Sequence, residues 1–179
     1  MSLNPYASHL PILSAVASRC NGRILEVGGG FYSTPVLHGI AASRCLELTT
    51  VETHEFYFKL LGDLISDSHE IVMVSKSTDY FISEFDSFGM AFVDNDDCPR
   101  ADIILHLKYK CPLIVAHDTE VQADHYGFNR INEAFKYRAD FHFDYLHMED
   151  EIRLPWTSVY SDTDDLNWLR KAFKNHGEL

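Results

Sequence analysis

The chain has 179 residues, the size of one domain with a substantial core, and 46% of them are hydrophobic, which excludes a disordered protein. Its formal net charge of −12 and the absence of a cluster of lysines and arginines argue against binding to nucleic acid or to a membrane surface. A small molecule or a protein partner is therefore the expected ligand.

The N-terminal residues and the cysteines bear on the compartment. The opening residues have neither a basic region nor a long apolar run, so they do not resemble a secretion signal. No apolar stretch reaches the roughly 20 residues that a membrane span needs. The four cysteines are widely spaced and form no Cys-x-x-Cys pair. These features predict a cytoplasmic protein with reduced thiols.

Short apolar runs rich in β-branched residues alternate with stretches of helical periodicity through the first two thirds of the chain. Five of these runs are predicted to be strands, at 23–27, 45–52, 70–75, 89–94 and 112–118. Helical patterns lie between them, for example at 33–43, 54–65 and 99–110. Continuous apolar strands separated by single helices predict βαβ units and a parallel sheet covered on both faces.

The last third of the chain has a different pattern. A helix is predicted over 126–137, followed by strand-like runs at 141–148 and 156–161 with no helix between them. A final helix is predicted after 162–165, whose acidic residues would cap it. The expected fold class is α/β, a three-layer sandwich with a doubly wound, mostly parallel Rossmann-like sheet and a C-terminal antiparallel β-hairpin. Residues 1–179 are expected to form this single domain.

Three consecutive glycines follow the first predicted strand. Gly28, Gly29 and Gly30 come just before a helical stretch, where nucleotide-binding folds place a glycine-rich loop. The dinucleotide fingerprint Gly-x-Gly-x-x-Gly is incomplete, because Ser33 stands at its last glycine. A tight turn that holds no ligand is the alternative interpretation.

Two acidic residues favour a ligand. Glu26 lies two residues before Gly28, where a fixed negative charge would disfavour a pyrophosphate but would suit a ligand with positive charge and amine donors. Glu52 ends the second predicted strand, 22 residues beyond Gly30, where an acid can accept the hydroxyls of a ribose. Together these residues predict a ribosyl ligand with a cationic end.

The stretches ILEVGGGFYSTP, LTTVE, MAFVDNDD and LIVAHD resemble, in this order, motifs of class I S-adenosylmethionine-dependent methyltransferases, in particular the small O-methyltransferase-like branch. The resemblance covers roughly residues 23–118, and the predicted hairpin agrees with the reversed last strand of that fold. It implies S-adenosylmethionine as cofactor, with Glu26 and the glycine loop facing its methionine part and Glu52 holding its ribose. Residues near the adenine would be Ser77, Thr78 and Asp79. Tyr32 departs from the pattern, because many members have a third glycine there.

Acidic residues also end the fourth and fifth predicted strands. Since ligands of open α/β sheets bind beyond these carboxyl ends, Asp94, His117 and Asp118 are the candidates that would face the methyl acceptor, Asp94 first. In the catechol-type branch of the resembled family, acids at these two places bind a divalent cation together with a following Asn. Thr119 replaces that Asn, so a divalent metal is not favoured and no metal ligand is assigned.

The acids that follow Asp94 also have a purely structural interpretation. Asp96 or Asp97 can cap the helix that is predicted to start near Pro99, because an aspartate before a proline at the first helical position is a common helix start. We expect this structural role for both residues, whereas Asp94 still belongs to the end of the strand.

The residues leave three functions open. The first is methyl transfer to an unidentified small or medium-sized acceptor. The second is a catalytically inactive adenosyl-binding or scaffold protein, or a methyltransferase-like subunit that needs a partner, and Tyr32 favours it slightly. The third is a nicotinamide-dependent oxidoreductase, which Glu26 disfavours because it would face the phosphates. The sequence also allows a homo-oligomer.

Overall fold

The computed structural model describes residues 4–83, 87–120, 124–131, 133–142 and 155–173. Within them the chain forms seven strands, β1 (Ile24–Val27), β2 (Leu48–Glu52), β3 (His69–Met73), β4 (Met90–Val93), β5 (Ile114–His117), β6 (Tyr137–Phe141) and β7 (Thr157–Ser161). The α-helices are α1 (Leu10–Ala17), α2 (Ser33–Ser43), α3 (Glu55–Leu60), α4 (Ser77–Ser83), α5 (Arg100–Leu107) and α6 (Asn167–Ala172). Short 3-10 helices occur at Pro5–Ala7, Gly62–Leu64, Asp124–Tyr126 and Phe128–Ile131.

All seven strands belong to one sheet, in the order β3-β2-β1-β4-β5-β7-β6. The first five are parallel, and β7 runs antiparallel to both β5 and β6. The predicted α/β class, the parallel sheet and the terminal hairpin are thus confirmed. The strand order reverses between β1 and β4, and this switch point is where open α/β sheets bind their ligands.

The sheet separates two hydrophobic cores, because successive side chains of a strand point to opposite faces. On one face Leu25 and Val27 pack with apolar residues of α4 and α5. On the other face Ile24 packs with residues of α1, α2 and α6. All four residues of β1 are buried, as expected for a central parallel strand. None of the described helices is long and apolar enough to cross a membrane.

The prediction of a helix over 126–137 is wrong. Asp124–Tyr126 and Phe128–Ile131 form separate 3-10 helices, and β6 already begins at Tyr137. Gly127 lies between the two turns with φ +75°, a left-handed conformation that ends a right-handed helix. The apolar residues of the segment still join the core beside α5, which explains why its pattern looked helical.

The C-terminal elements are present with shifted bounds. β6 spans Tyr137–Phe141 instead of 141–148, and residues 143–148 lie outside the described part of the chain. The N-cap residue of the last helix is Leu166, not one of the predicted acids, but Asp164 and Asp165 accept the backbone N–H groups of Leu166 and Asn167 at 3.1 and 3.0 Å. These bonds compensate the left-handed backbone of Leu166, at φ +56°.

Candidate functional site

A cleft of about 720 Å³ opens at the carboxyl ends of the central strands. It is lined by the glycine loop, by the residues that follow β2, β4 and β5, and by Tyr6, His9, Tyr126 and Pro155. Its volume lies in the range of small-molecule sites. The switch point of the sheet therefore carries a cavity of the right size for a cofactor and a small acceptor.

The cleft contains most, but not all, of the residues predicted for the site. Those that line it are Gly28, Gly29, Gly30, Glu52, Asp94, His117 and Asp118. Those predicted residues that do not line it are Glu26, Ser77, Thr78 and Asp79.

Glycine stands at each of the three positions for a different structural reason. Gly28 has φ +89°, and a Cβ there would lie 2.6 Å from the carbonyl oxygen of Asp94, so the loop crosses the end of β4 in close contact. A Cβ on Gly29 would lie 2.7 Å from Leu61 Cδ1. At Gly30 the nearest atom would be 3.6 Å away, which leaves room on the cleft side. Packing requires the first two glycines, whereas the third keeps space open for a ligand.

Tyr32 fits the loop without distorting it. It lies just before α2 with an ordinary right-handed backbone, φ −105° and ψ −50°. Its side chain is 37% exposed at the mouth of the cleft, and its hydroxyl is hydrogen-bonded to Asn4 Nδ2. The departure from the glycine pattern thus adds an aromatic rim to the cleft, together with Phe31, whose ring centroid lies 5.8 Å from that of Tyr57.

The carboxylate of Glu52 is held in place by three backbone N–H groups. Oε2 accepts a hydrogen bond from Gly29 at 2.8 Å, and Oε1 accepts from Thr53 and His54 at 2.8 and 2.6 Å. Burial raises the pKa of this carboxyl, and the three N–H bonds oppose that shift. A carboxylate offers about four acceptor sites, so about one is left for a ligand hydroxyl.

Glu26 lies beneath the glycine loop and is fully buried. Its Oε2 accepts the Thr50 hydroxyl at 2.8 Å, while its Oε1 has no hydrogen-bond partner in the described part of the chain. Burial raises its pKa to about 7, against the opposing effect of hydroxyls from Ser33, Thr50 and Thr34. Glu26 is thus a carboxyl behind the site that is about half protonated near pH 7, and a nearby cation would favour its ionised form.

A chain of hydrogen bonds runs from Glu26 towards the surface. Thr50 Oγ1 lies 3.0 Å from His69 Nε2, and His69 Nδ1 lies 3.1 Å from Nδ1 of the partly exposed His38. Since Thr50 gives its proton to Glu26, His69 donates from Nε2 and accepts at Nδ1. Burial and then the neighbouring His38 lower the pKa of His69 to about 4, so this ring is neutral.

The predicted adenine residues lie at the start of α4. Ser77 is buried, and both its backbone N–H and its hydroxyl donate to the carboxylate of Asp97, at 2.8 and 2.6 Å. Thr78 is half-buried and Asp79 is exposed. The prediction that Asp96 or Asp97 caps α5 is wrong, because α5 follows Pro99 without a side-chain cap. Asp97 instead reaches across to the first turn of α4.

The acids that end β4 and β5 meet around His117. Nδ1 of His117 lies 3.3 Å from Asp94 Oδ1 and 3.5 Å from Asp118 Oδ1, and Nε2 lies 3.0 Å from Ser8 Oγ. Ser8 donates its own proton to the carbonyl of Pro155 at 3.2 Å, which lets Nε2 of His117 donate to Ser8 Oγ. These contacts favour the protonated form of His117, in which both ring nitrogens donate.

The pKa shifts agree with these contacts. Burial lowers the pKa of His117, but its hydrogen bond with Asp94 and the charge of that carboxylate outweigh burial, so the pKa is raised overall. Burial likewise raises the pKa of Asp94, but His117 and Arg100 outweigh it and lower the pKa overall. Asp94 is thus ionised and a weak base.

Arg100, at the start of α5, joins the two carboxylates. Its side chain is 3% exposed, with Nη2 at 3.0 Å from Asp94 Oδ1 and Nη1 at 2.8 Å from Asp118 Oδ2. Nη1 also donates to the carbonyl of His117 at 2.6 Å, and Nε donates to that of Asn95 at 2.7 Å. The guanidinium thus occupies the space between Asp94 and Asp118, where a metal ion shared by the two carboxylates does not fit.

His9, which comes just before α1, is the other unanticipated group in the cleft. It is 2% exposed, and neither ring nitrogen has a hydrogen-bond partner in the described residues. Its ring centroid lies 5.0 Å from that of Phe92 and 4.5 Å from that of His117. Burial, reinforced by His117, lowers its pKa to about 4, so His9 is neutral. Its nitrogens lie close to Asp94 and His117 in a group with the spacing of metal ligands, but Arg100 and the protonated His117 already hold Asp94.

Comparison with known proteins extends the resemblance to three dimensions. No protein-family model and no curated protein matches the chain by sequence. A putative O-methyltransferase from Klebsiella pneumoniae matches in structure with a TM-score of 0.65 and 15% identity, over 91% of this chain and 82% of its own. The O-methyltransferase TomG from Streptomyces achromogenes, in complex with SAM, has a TM-score of 0.62 and 16% identity, over 90% and 81%.

A third match is the O-methyltransferase from Bacillus cereus in complex with SAH, with a TM-score of 0.63 and 14% identity, over 89% of this chain and 82% of its own. At these identities the likeness establishes the fold. The chain has the fold of class I S-adenosylmethionine-dependent O-methyltransferases, as its motifs predict.

Proposed function

We propose that this protein is an S-adenosylmethionine-dependent methyltransferase that acts on a small or medium-sized acceptor. The observation that carries the proposal is the position of Glu52, whose carboxylate is fixed at the end of β2 beside the glycine loop and lines the cleft. In this fold an acid at that place suits a ribose. Two solved structures of the same fold, those of TomG and of the Bacillus cereus enzyme, contain SAM or SAH.

In the proposed complex the adenosyl ligand follows the loop from Glu52 to Gly30. Glu52 accepts one ribose hydroxyl at its remaining site, and a second hydroxyl would replace the N–H of Gly29. The methionine part lies over the open space at Gly30, and the negative charge that Glu26 can acquire lies behind the loop. Glu26 thus attracts the cationic end of the ligand through the loop without touching it.

The adenine position of Ser77, Thr78 and Asp79 remains a proposal. The cleft reaches towards them through Asn95, whose Nδ2 donates to Asp97 Oδ1 at 2.9 Å, and Asp97 in turn holds Ser77. These contacts support a role in fixing the wall beside the adenine.

Asp94, His117 and Asp118 are proposed to form the acceptor side of the site. Methyl transfer mainly requires that the nucleophile is aligned behind the sulfonium methyl group. Asp94, which is half-buried and ionised, lines the cleft and can accept a hydrogen bond from an acceptor hydroxyl. The contacts of His117 with Asp94 and Ser8 favour its protonated form, so we assign it to positioning Asp94 rather than to acting as a base.

A catalytically inactive adenosyl-binding protein is the second candidate. The contacts of Arg100 and His117 with the carboxylates of the acceptor side favour this candidate, because they make those carboxylates weaker bases. Both candidates require the adenosyl pocket, and they differ only in turnover.

Calorimetric titration with S-adenosylmethionine, S-adenosylhomocysteine and NAD tests the proposal. We expect the two adenosyl compounds to bind and NAD not to bind, and failure of both adenosyl compounds would refute the function. Turnover across a panel of hydroxyl, amine and carboxylate acceptors then separates the enzyme from the inactive protein.

A further inference from the structure

Asp94 and Asp118 form a pair of carboxylates that needs a positive charge. They end the adjacent parallel strands β4 and β5, and both line the cleft. Two carboxylates that share a site in this way raise each other's pKa unless a cation compensates them. A divalent metal ion is one solution to this problem, and a guanidinium is another.

Arg100 supplies that charge from within the chain. Four of its five N–H donors are used, two on the carboxylates and two on the carbonyls of Asn95 and His117. Its guanidinium carbon lies 3.8 Å from the centroid of the Tyr126 ring, which covers one face of the group. The side chain is thus fixed in position by partners on its edges and on its face.

The Asn that follows the second acid in the catechol-type branch is missing as well. Thr119 follows Asp118, and its side chain is turned away towards β7, where Thr119 Oγ1 forms a 2.7 Å hydrogen bond with Ser158 Oγ. Thr119 is only 4% exposed, so this hydroxyl is not presented to the cleft. A hard cation such as Mg²⁺ would have to displace a buried arginine and would still lack a ligand there.

We propose that Arg100 is a positioning residue that takes the place of a divalent cation on the acceptor side, so that the site works without metal. The guanidinium holds Asp94 and Asp118 at a fixed separation and keeps Asp94 turned towards the acceptor. The inference about the acceptor rests on the proposed function, whereas the exclusion of metal rests on the contacts of Arg100 and Thr119.

Titration with Mn²⁺ alone, followed by the paramagnetic resonance signal of the free ion, tests the exclusion without any methyl transfer. We expect no binding by the unmodified protein. Arg100→Ala should bind about one Mn²⁺ per chain, because it leaves two carboxylates and an empty volume between them. Arg100→Ala combined with Asp118→Asn should lose that binding.

Arg130→Ala is the matched control, since Arg130 pairs with Asp102 at 2.8 Å on the surface, away from the cleft. We expect no Mn²⁺ binding by this variant. Binding of Mn²⁺ by the unmodified protein that Asp118→Asn abolishes would overturn the proposal. A folded Arg100→Ala protein, by circular dichroism, that binds no Mn²⁺ would also overturn it. If Arg100→Ala does not fold, the titration of the unmodified protein and of Asp118→Asn still decides the question.

The effect on the reaction is measured separately. Turnover by the unmodified protein should be equal in EDTA and in Mg²⁺, and Arg100→Ala should lose most of it and regain part of it with Mn²⁺. Arg100→Lys keeps the positive charge but loses the planar set of N–H donors that binds both carboxylates, so we expect reduced turnover and no Mn²⁺ binding. If the protein binds no adenosyl compound, the proposed function fails while the Mn²⁺ results still stand or fall on their own.

Discussion

The backbone N–H of Gly29 donates a 2.8 Å hydrogen bond to Glu52 Oε2, and this bond joins the glycine loop of one βα unit to the strand end of the next. Glu52 therefore has a structural role before any ligand binds. The proposed ribose contact uses the same carboxylate. Changes at Glu52 should consequently affect both stability and ligand binding.

Replacement of Glu52 by alanine should weaken adenosyl binding by about tenfold or more, because a buried charged hydrogen bond is lost. The free energy of unfolding should fall by roughly 1–3 kcal/mol, since buried N–H groups lose their acceptor. Calorimetry and urea denaturation measure the two effects. Glu55→Ala is the control, because Glu55 forms an exposed pair with Lys59 and should change neither quantity. Unchanged adenosyl affinity of Glu52→Ala would show that the ribose lies elsewhere.

Alanine substitutions at Gly28 and Gly30 should have separate effects on stability and on ligand binding. Gly28→Ala places a Cβ against the backbone of Asp94 in a left-handed conformation, so we expect it to lower the melting temperature markedly. The added Cβ of Gly30→Ala makes only an ordinary contact with Ser33 Oγ at 3.6 Å, so stability should change by less than about 1 kcal/mol. Adenosyl binding to Gly30→Ala should nevertheless weaken, because the methyl group enters the ligand's space. Equal binding by Gly30→Ala and the unmodified protein would contradict the proposed path of the ligand.

Glu26→Gln should stabilise the protein at high pH. The folded-state pKa of Glu26 is raised from 4.5 to about 7, so the native state keeps a proton that the unfolded chain loses between these values. The unmodified protein therefore loses stability as the pH rises from about 4.5 to about 7, by up to roughly 3 kcal/mol, and no more above that range. The Glu26→Gln variant lacks this pH dependence of stability, because glutamine does not titrate. Urea denaturation at pH 5 and pH 8 should show the advantage of Glu26→Gln at pH 8 only.

The same substitution should weaken binding of the cationic ligand. S-adenosylmethionine carries a sulfonium charge that S-adenosylhomocysteine lacks, so Glu26→Gln should reduce affinity for the former more than for the latter. A ratio of the two affinities that matches that of the unmodified protein would mean that Glu26 does not sense the sulfonium.

His9→Phe should protect the protein against acid. His9 is neutral in the folded state with a pKa of about 4, below the ordinary 6.5 of a histidine side chain, so the unfolded state binds its proton first. The free energy of unfolding of the unmodified protein therefore decreases as the pH falls from about 6.5 to about 4. Phenylalanine keeps an aromatic ring against Phe92 but has no group that the unfolded chain can protonate, so it avoids this loss of stability. Denaturation at pH 7.5 and pH 5 should show a relative gain for His9→Phe at pH 5, and an equal difference at both values would contradict it.

The fold and the strand-end residues could be predicted because they follow local patterns. Alternation of apolar runs and helical stretches marks the five parallel strands, and the carboxyl ends of these strands share one edge, so Glu52, Asp94 and Asp118 had to meet there. The helix over 126–137 was predicted wrongly, because an apolar pattern does not reveal the left-handed backbone of Gly127.

The partners of these residues could not be predicted, because they depend on three-dimensional contacts. Arg100 belongs to an ordinary helical pattern, and only the arrangement of β4, β5 and α5 brings it between two acids. His9 precedes the first helix without any motif, and its position in the cleft depends on how α1 packs against the sheet. Asp97 was wrongly predicted to cap α5, because no local pattern shows that its carboxylate accepts from Ser77 at the start of α4.

The hydrogen-bonded row from His38 through His69 and Thr50 to Glu26 has a consequence for binding heats. A cationic ligand that ionises Glu26 displaces a proton, and the donors of this row all point towards Glu26, so they stabilise the carboxylate that remains. Binding of S-adenosylmethionine near pH 7 should then release a fraction of one proton per molecule. The calorimetric enthalpy should vary linearly with the ionisation enthalpy of the buffer.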